Sequence, residues 1–139
     1  MDISPTLAWA SNRTLGVLIT LRGDGRAQSS DVVYAVIDGA ICISLTDSRA
    51  KTRNMRRDSR VVFHITDPDS WSYASIDAEA ELSAIASAPN DATVDDLMSL
   101  YRAVTGGEHD DWDEFRTAMV EEGRLVARLH PRSVTGQIH

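Results

Sequence analysis

The chain is expected to fold as a mainly β protein of the α+β class, with six to seven antiparallel strands and short peripheral helices. Three observations predict this. β-Branched apolar runs, RTLGVLITL (13–21), AICISLT (40–46) and RVVFHIT (60–66), stand beside Asp-Gly turn words of the kind that join hairpin strands. Residues 71–86 alternate with period two: Ile76, Ala78, Ala80, Leu82, Ala84 and Ala86 face one way, and Asp77, Glu79, Glu81 and Ser83 face the other. Helical spacing is confined to short stretches that begin with capping residues. At 139 residues, 1–139 is expected to be a single domain large enough to bury a real core.

Taken in order, SPTLAWAS (4–11) predicts a short helix, with Ser4 as cap, Pro5 at the first helical position, and Leu7 and Trp9 covering one end of the core. A strand over 13–21 and the turn RGDGR lead into a second strand over about 27–37. Asp38-Gly39 then turns the chain into the strand 40–46, completing a three-stranded meander. A basic helix follows, with Asp47 or Ser48 as its cap. The strand 60–66 ends at the loop DPDS. His64 lies within it, where a lone histidine is more often a packing or edge residue than a catalytic one. After the long alternating strand, APNDAT caps a helix over 93–105 with Val94, Leu97, Met98, Tyr101 and Val104 at helical spacing, and Gly106-Gly107 stops it. A further helix over 110–121 puts Asp110, Asp111, Asp113 and Glu114 in its first turn, where the helix dipole explains them without a metal, and buries Trp112, Phe115 and Met119. RLVARLHP and RSVTGQI form a last strand pair, bent at Pro131.

Composition bounds the function. A net charge of −7 argues against general nucleic-acid binding. The single cysteine, Cys42, sits in an apolar strand and reads as core, so neither an internal disulfide nor a cysteine-based metal site can be drawn. No apolar run approaches the ~20 residues needed to span a bilayer, and no basic-then-apolar leader opens the chain, so a cytoplasmic location is expected.

Against that acidic background, one stretch stands out. Arg49, Lys51, Arg53, Arg56, Arg57 and Arg60 face only Asp58, a local charge of +5, while the remainder carries 8 cations against 20 anions. Cations crowd a helix start, where the macrodipole disfavours them unless an anion is bound there. A strand end followed by the first N–H groups of a helix is a phosphate-type site, and Gln28, Ser29, Ser30 and Asp31 offer polar groups on a neighbouring strand.

No nucleophile elbow, dinucleotide fingerprint or Walker sequence is present, and the four histidines are scattered. Small barrels of this kind hold flat aromatic cofactors along a sheet; the cofactor carries the redox chemistry and the protein supplies placement and electrostatics. The order of elements resembles the flavin-binding split β-barrel superfamily of pyridoxamine 5′-phosphate oxidases, an FMN-binding-like fold. Four words in register, LGVLITLRGDGRAQSSDV, RAKTRNMRRDSR, WSYASIDAEAEL and LYRAVTGGEHDDWDEFRTAM, closely resemble its actinobacterial branch that uses the deazaflavin coenzyme F420.

That resemblance implies a homodimer with two equivalent sites at the interface. It places Arg49, Ala50, Lys51 and Thr52 around the cofactor phosphate and the first acidic groups of its tail, with Ser44 reaching the same phosphate or its linker. Gln28, Ser30 and Asp31 would line the deazaflavin ring or its ribityl chain, Asp31 standing where close relatives are expected to carry asparagine. Trp71 and Tyr73 of the partner subunit would flank the pocket or else anchor the dimer. Arg53, Arg56 and Arg57 extend the cationic row beyond what FMN needs, which favours the polyanionic F420 tail. The leading expectation is an oxidoreductase passing a hydride from reduced F420 to an enone, quinone or tetrapyrrole. The alternatives are an FMN-dependent enzyme of the pyridoxamine phosphate oxidase type and a non-enzymatic cofactor carrier.

Overall fold

The computed structural model describes all of residues 1–139. Its strands are β1 (Leu15–Leu21), β2 (Ala27–Val33), β3 (Ala35–Ile37), β4 (Ala40–Thr46), β5 (Arg60–Asp67), β6 (Ser72–Leu82) and β7 (Arg124–Gln137). Its helices are α1 (Ile3–Ala10), α2 (Ala50–Arg57), α3 (Ala92–Thr105) and α4 (Trp112–Glu121). All seven strands form one antiparallel sheet in the order β2-β1-β5-β6-β7-β4-β3.

That order puts β2 and β3 at opposite edges, although Tyr34 alone separates them in the chain. The sheet therefore curls until its edges meet at Tyr34, which is how an open sheet becomes a barrel. Tyr34 is fully buried. Its phenol donates to the Ala10 carbonyl at 2.7 Å and its ring meets Phe63 edge-on, with centroids 5.0 Å apart. Burial pushes its hydroxyl up to about 12, against a smaller opposing effect of Arg13.

Two cores follow from the pleat. Inside the barrel, Leu18, Ile43, Phe63, Ile65, Ile76 and Leu125 pack together, with Leu7 and Ala10 of α1 and Met55 of α2 joining them. Outside it, Cys42 and Val126 meet Val94, Leu97 and Met98 of α3 and Phe115 and Met119 of α4. β4 is thus covered on both faces, which explains its nearly continuous apolar run. The outward rows of β2, β1, β5 and β6 stay open, with Leu15 and its cross-strand partner Val33 exposed at 62% and 52%.

Several expectations change. The strand predicted over 27–37 divides at Tyr34, so the three-stranded meander becomes two hairpins on opposite edges of the sheet. α1 begins at Ile3, with Asp2 in the cap position; Pro5 still falls within the first turn, where a missing N–H costs nothing. The alternating strand spans only Ser72–Leu82, because beyond it the chain hugs β7 through isolated bonds from Ser83 N–H to the Val126 carbonyl and from Ala86 N–H to the Arg124 carbonyl. The last strand pair is instead one 14-residue strand, β7. Ala78 faces Pro131 while Asp77 faces Ser133, so Arg132 is an extra residue and the strand bends at a bulge rather than reversing. Of the acidic run before Phe115, Asp111 caps α4, its carboxylate accepting the Glu114 N–H at 3.1 Å, and Asp113 and Glu114 fall in the first turn, whereas Asp110 lies outside the helix. No helix is long and apolar enough to cross a membrane.

Candidate functional site

The corner between β4 and α2 is held from several sides. The Thr52 hydroxyl donates to the Thr46 carbonyl at 2.8 Å, and the Asn54 amide donates to the Thr20 hydroxyl and the Gln28 side-chain oxygen at 3.1 and 3.0 Å. Arg57 donates to the Leu21 carbonyl and to Asn54. Arg49, rather than Asp47 or Ser48, occupies the cap position, and no side chain caps the helix. Asp47 is drawn away by Arg56, 2.6 Å distant. The first N–H groups of α2 are therefore left for a ligand or water.

The six cations now sort into two kinds. Arg56 is paired with Asp47 and Arg60 with Asp58, whose carboxyl the Arg60 hydrogen bonds bring down to about 2. Arg53 donates to the Ser48 carbonyl at 2.6 Å. Arg49 and Lys51 have no carboxylate partner, and Lys51 is half-buried. Its ammonium is pushed below its ordinary 10.5, chiefly by burial and then by the like charges of Arg49 and Arg124. Arg49 and Lys51 thus lie together with no carboxylate of their own, beside Arg124, which is paired with Glu122 at 3.0 Å.

Beside them lies a cleft of about 460 Å³. Its polar lining comes from Asp31, Ser44, Lys51, Thr105 and Arg124, and its apolar wall is mainly α3 and α4, including Leu100, Tyr101, Val104 and Phe115. The α3 wall is anchored by Asp91, whose carboxylate accepts from the N–H groups of Ser87, Ala88 and Val94.

Of the residues singled out in the sequence, the structure brings Asp31, Ser44 and Lys51 together on this cleft. Arg49 and Ala50 lie at the adjoining start of α2. Thr52 is buried, with its hydroxyl committed to Thr46. Gln28 and Ser30 lie on the β2 face of Val32 while Asp31 points the other way; neither of the two lines the cleft, although Val32 does, and the Gln28 side-chain oxygen accepts from Asn54. Trp71, 84% exposed in a turn at φ 56°, and Tyr73, stacked on His64 at 5.6 Å, lie near the start of β6, far from this chain's own Lys51. The sequence reading misses Arg124 and the α3–α4 wall. Arg124 reads there as the start of a strand, and only the β4–β7 register, which pairs it with Thr46, carries it to the corner.

Searched against known families, the sequence matches no family model. Solved structures do match the fold. A conserved hypothetical protein from Mycobacterium tuberculosis aligns over 98% of this chain and 84% of its own, with a TM-score of 0.77 and 24% identity. The fold is the split β-barrel of the pyridoxamine 5′-phosphate oxidase-like type. An F420 reductase aligns over 88% of this chain and 89% of its own at 19% identity and a TM-score of 0.64. A protein from Listeria innocua, provisionally named a pyridoxamine 5′-phosphate oxidase, covers 96% of each chain at 15% identity and a TM-score of 0.68. At such identities the shared split barrel gives the architecture alone.

Proposed function

We propose that this protein is an F420-dependent oxidoreductase acting as a cytoplasmic homodimer. The observation that carries the reading is the pair Arg49 and Lys51, without a carboxylate partner, at an uncapped helix start that opens on a cleft of about 460 Å³. A phosphodiester fits that corner on its chemistry: it would accept from the Ala50 and Lys51 N–H groups and the Ser44 hydroxyl, and it would relieve the repulsion on Lys51. Arg49, Arg53 and Arg56 lie on the exposed side of α2, where a chain of glutamates would run. When bound, the reduced deazaflavin supplies a hydride from C5 to an unsaturated electrophile such as an enone, quinone or tetrapyrrole.

The protein's own part is positional. Thr52, Asn54 and Arg57 fix α2 on the barrel end, so the anion-binding groups are set before ligand arrives. The wall from α3 and α4 excludes water on one side. The side facing β2 is left to a second copy: Asp31 and Val33 line the cleft, and each is paired across β1 into the open outer rows, Asp31 with Val17 and Val33 with Leu15. A second subunit seated on those rows would bring its Trp71 and Tyr73 to the cleft, which this chain's own copies do not reach.

Quenching of intrinsic tryptophan fluorescence separates the cofactors. Oxidised F420 is expected to quench at sub-micromolar concentration and FMN only far above it. Tight FMN binding with no response to F420 would move the protein to the FMN-dependent reading. Tight F420 binding without oxidation of reduced F420 by any of a panel of enones, quinones and biliverdin would make it a carrier.

A further inference from the structure

The turn between α3 and α4 carries His109, whose ring is enclosed by aromatic side chains from both helices. Tyr101 of α3 meets it edge-on with centroids 5.2 Å apart, and Trp112 and Phe115 of α4 lie at 5.7 and 5.5 Å. Tyr101 and Phe115 also line the cleft, while His109 does not. The histidine therefore stands behind the wall against which a flat cofactor ring would lie.

One nitrogen of that imidazole faces two different partners. Nδ1 accepts the Asp111 N–H at 2.9 Å, and an Asp110 carboxylate oxygen stands 3.3 Å from the same atom. A nitrogen that accepts carries no proton, so the ring is neutral with its hydrogen on Nε2. Asp111 is in turn the cap of α4: its carboxylate accepts the Glu114 N–H and its carbonyl the Phe115 N–H, each at 3.1 Å. Contacts thus run from Nδ1 through a single residue to Phe115 at the cleft. A proton taken from water onto Nδ1 would turn the acceptor into a donor, set it against the Asp111 N–H and suit it to the Asp110 carboxylate. That carboxylate is fully exposed and so open to a new donor. The other charges around the ring have places already: Arg102 of α3 is paired with Glu108 and lies 4.6 Å over the Trp112 ring, and Asp113 and Glu114 stand in the first turn of α4.

We propose that His109 is a positioning residue for the cleft wall and that its proton sets the wall's grip. Neutral, it pins Asp111 and with it the start of α4. Protonated, it exchanges the Asp111 N–H for the Asp110 carboxylate, so that Phe115 and Tyr101 lose their backing and the cleft holds its ligand less tightly in mild acid. The inference rests on the F420 reading only in taking this cleft as the binding site.

Nuclear magnetic resonance of the ligand-free full chain between about pH 8 and about pH 5 tests the exchange, and tryptophan quenching by F420 at the two ends tests its effect on the cleft. The Asp111 amide and the His109 ring are expected to titrate with one midpoint. F420 affinity should fall about fivefold more than in His109→Asn, the factor that one lost neutral hydrogen bond would give. Asparagine offers an oxygen near the place of Nδ1 and does not titrate, so in that variant the Asp111 amide should stay still and only the ionisation of F420 itself should register. His109→Phe fills the aromatic box without an acceptor; it should bind F420 more weakly than the unaltered protein at the alkaline end and equally at the acid end. An Asp111 amide that does not follow the His109 ring, a response retained in His109→Asn, or equal F420 affinity of His109→Phe and the unaltered protein at the alkaline end would overturn the proposal. F420 binding to none of the three proteins, with the Asp111 amide still following the ring, would sink the cofactor reading and leave this one standing.

Discussion

Arg124 opens β7 directly across the ladder from Thr46, the last residue of β4, and that register sets its charge against the Lys51 ammonium. Two cations from separate elements are held near each other, half-buried, beside a cleft that both line. Folding alone gains nothing from such a contact, and an anion would.

Lys51→Met should therefore raise the melting temperature of the ligand-free protein while weakening F420. The pH dependence follows from Lys51 losing its proton more readily in the folded state than in the unfolded one. Between its lowered folded value and the ordinary 10.5 the unfolded chain binds more protons, so stability of the unaltered protein rises with pH there. The advantage of the variant should be largest near neutral pH and shrink as pH climbs toward 10.5. Thermal melts of both proteins across that range check it; a variant less stable at every pH would show that Lys51 has a balancing partner.

Asp91→Ala should loosen the wall of the cleft. The carboxylate caps α3 through Val94 N–H and also accepts from Ser87 and Ala88, and these bonds hold it below its ordinary 3.8. Removing such a cap costs about 1 kcal/mol, within a range of roughly 0.5–2. Because the folded value is depressed, the contribution is present at neutral pH and fades as pH falls below 3.8. Urea unfolding of both proteins at pH 7 and in acid should show the gap narrowing; a constant gap would assign the loss to packing.

Gly16→Ala tests the close approach inside the barrel. A methyl at Gly16 would overlap the Phe63 ring, the same ring that meets Tyr34 at the barrel closure. Overpacking of this kind costs about 1–3 kcal/mol, and Phe63→Leu in the same chain should return part of it. Chemical unfolding of the single and double variants measures the coupling, and simple additivity would refute the contact.

Subunit association has its own test. Leu15 and Val33 face each other on the open rows beside Asp31, so Leu15→Lys with Val33→Lys should drive a dimer toward monomers and lower F420 affinity together. Sedimentation read against F420 titration checks both; a stable dimer in the double variant would place the interface elsewhere.

Much of this architecture is legible in the sequence where a local rule acts alone. The alternation through Ile76, Asp77 and Ala78, the positive φ of Asp38 and Gly39 at a hairpin turn, and the Asp91 cap are all decided by neighbours in the chain. The break at Tyr34 is different. Nothing local separates β2 from β3; barrel closure does, because one continuous strand cannot lie on both edges of the sheet. The site divides the same way. Lys51 declares itself by sitting in a cationic run at a helix start, whereas Arg124 is an ordinary strand residue until the register brings it to Thr46. Gln28 is placed by a contact no local rule predicts, its side-chain oxygen accepting from Asn54 of α2.

The most direct test of the central claim compares F420 with a deazaflavin lacking the phosphate and glutamate tail, each titrated by tryptophan quenching into the unaltered protein and into Lys51→Ala. F420 should lose at least about tenfold in affinity, or ~1.4 kcal/mol, while the tail-less ring binds nearly unchanged. Equal losses for the two ligands would contradict the account, because the cationic corner would then not be where the anion is held.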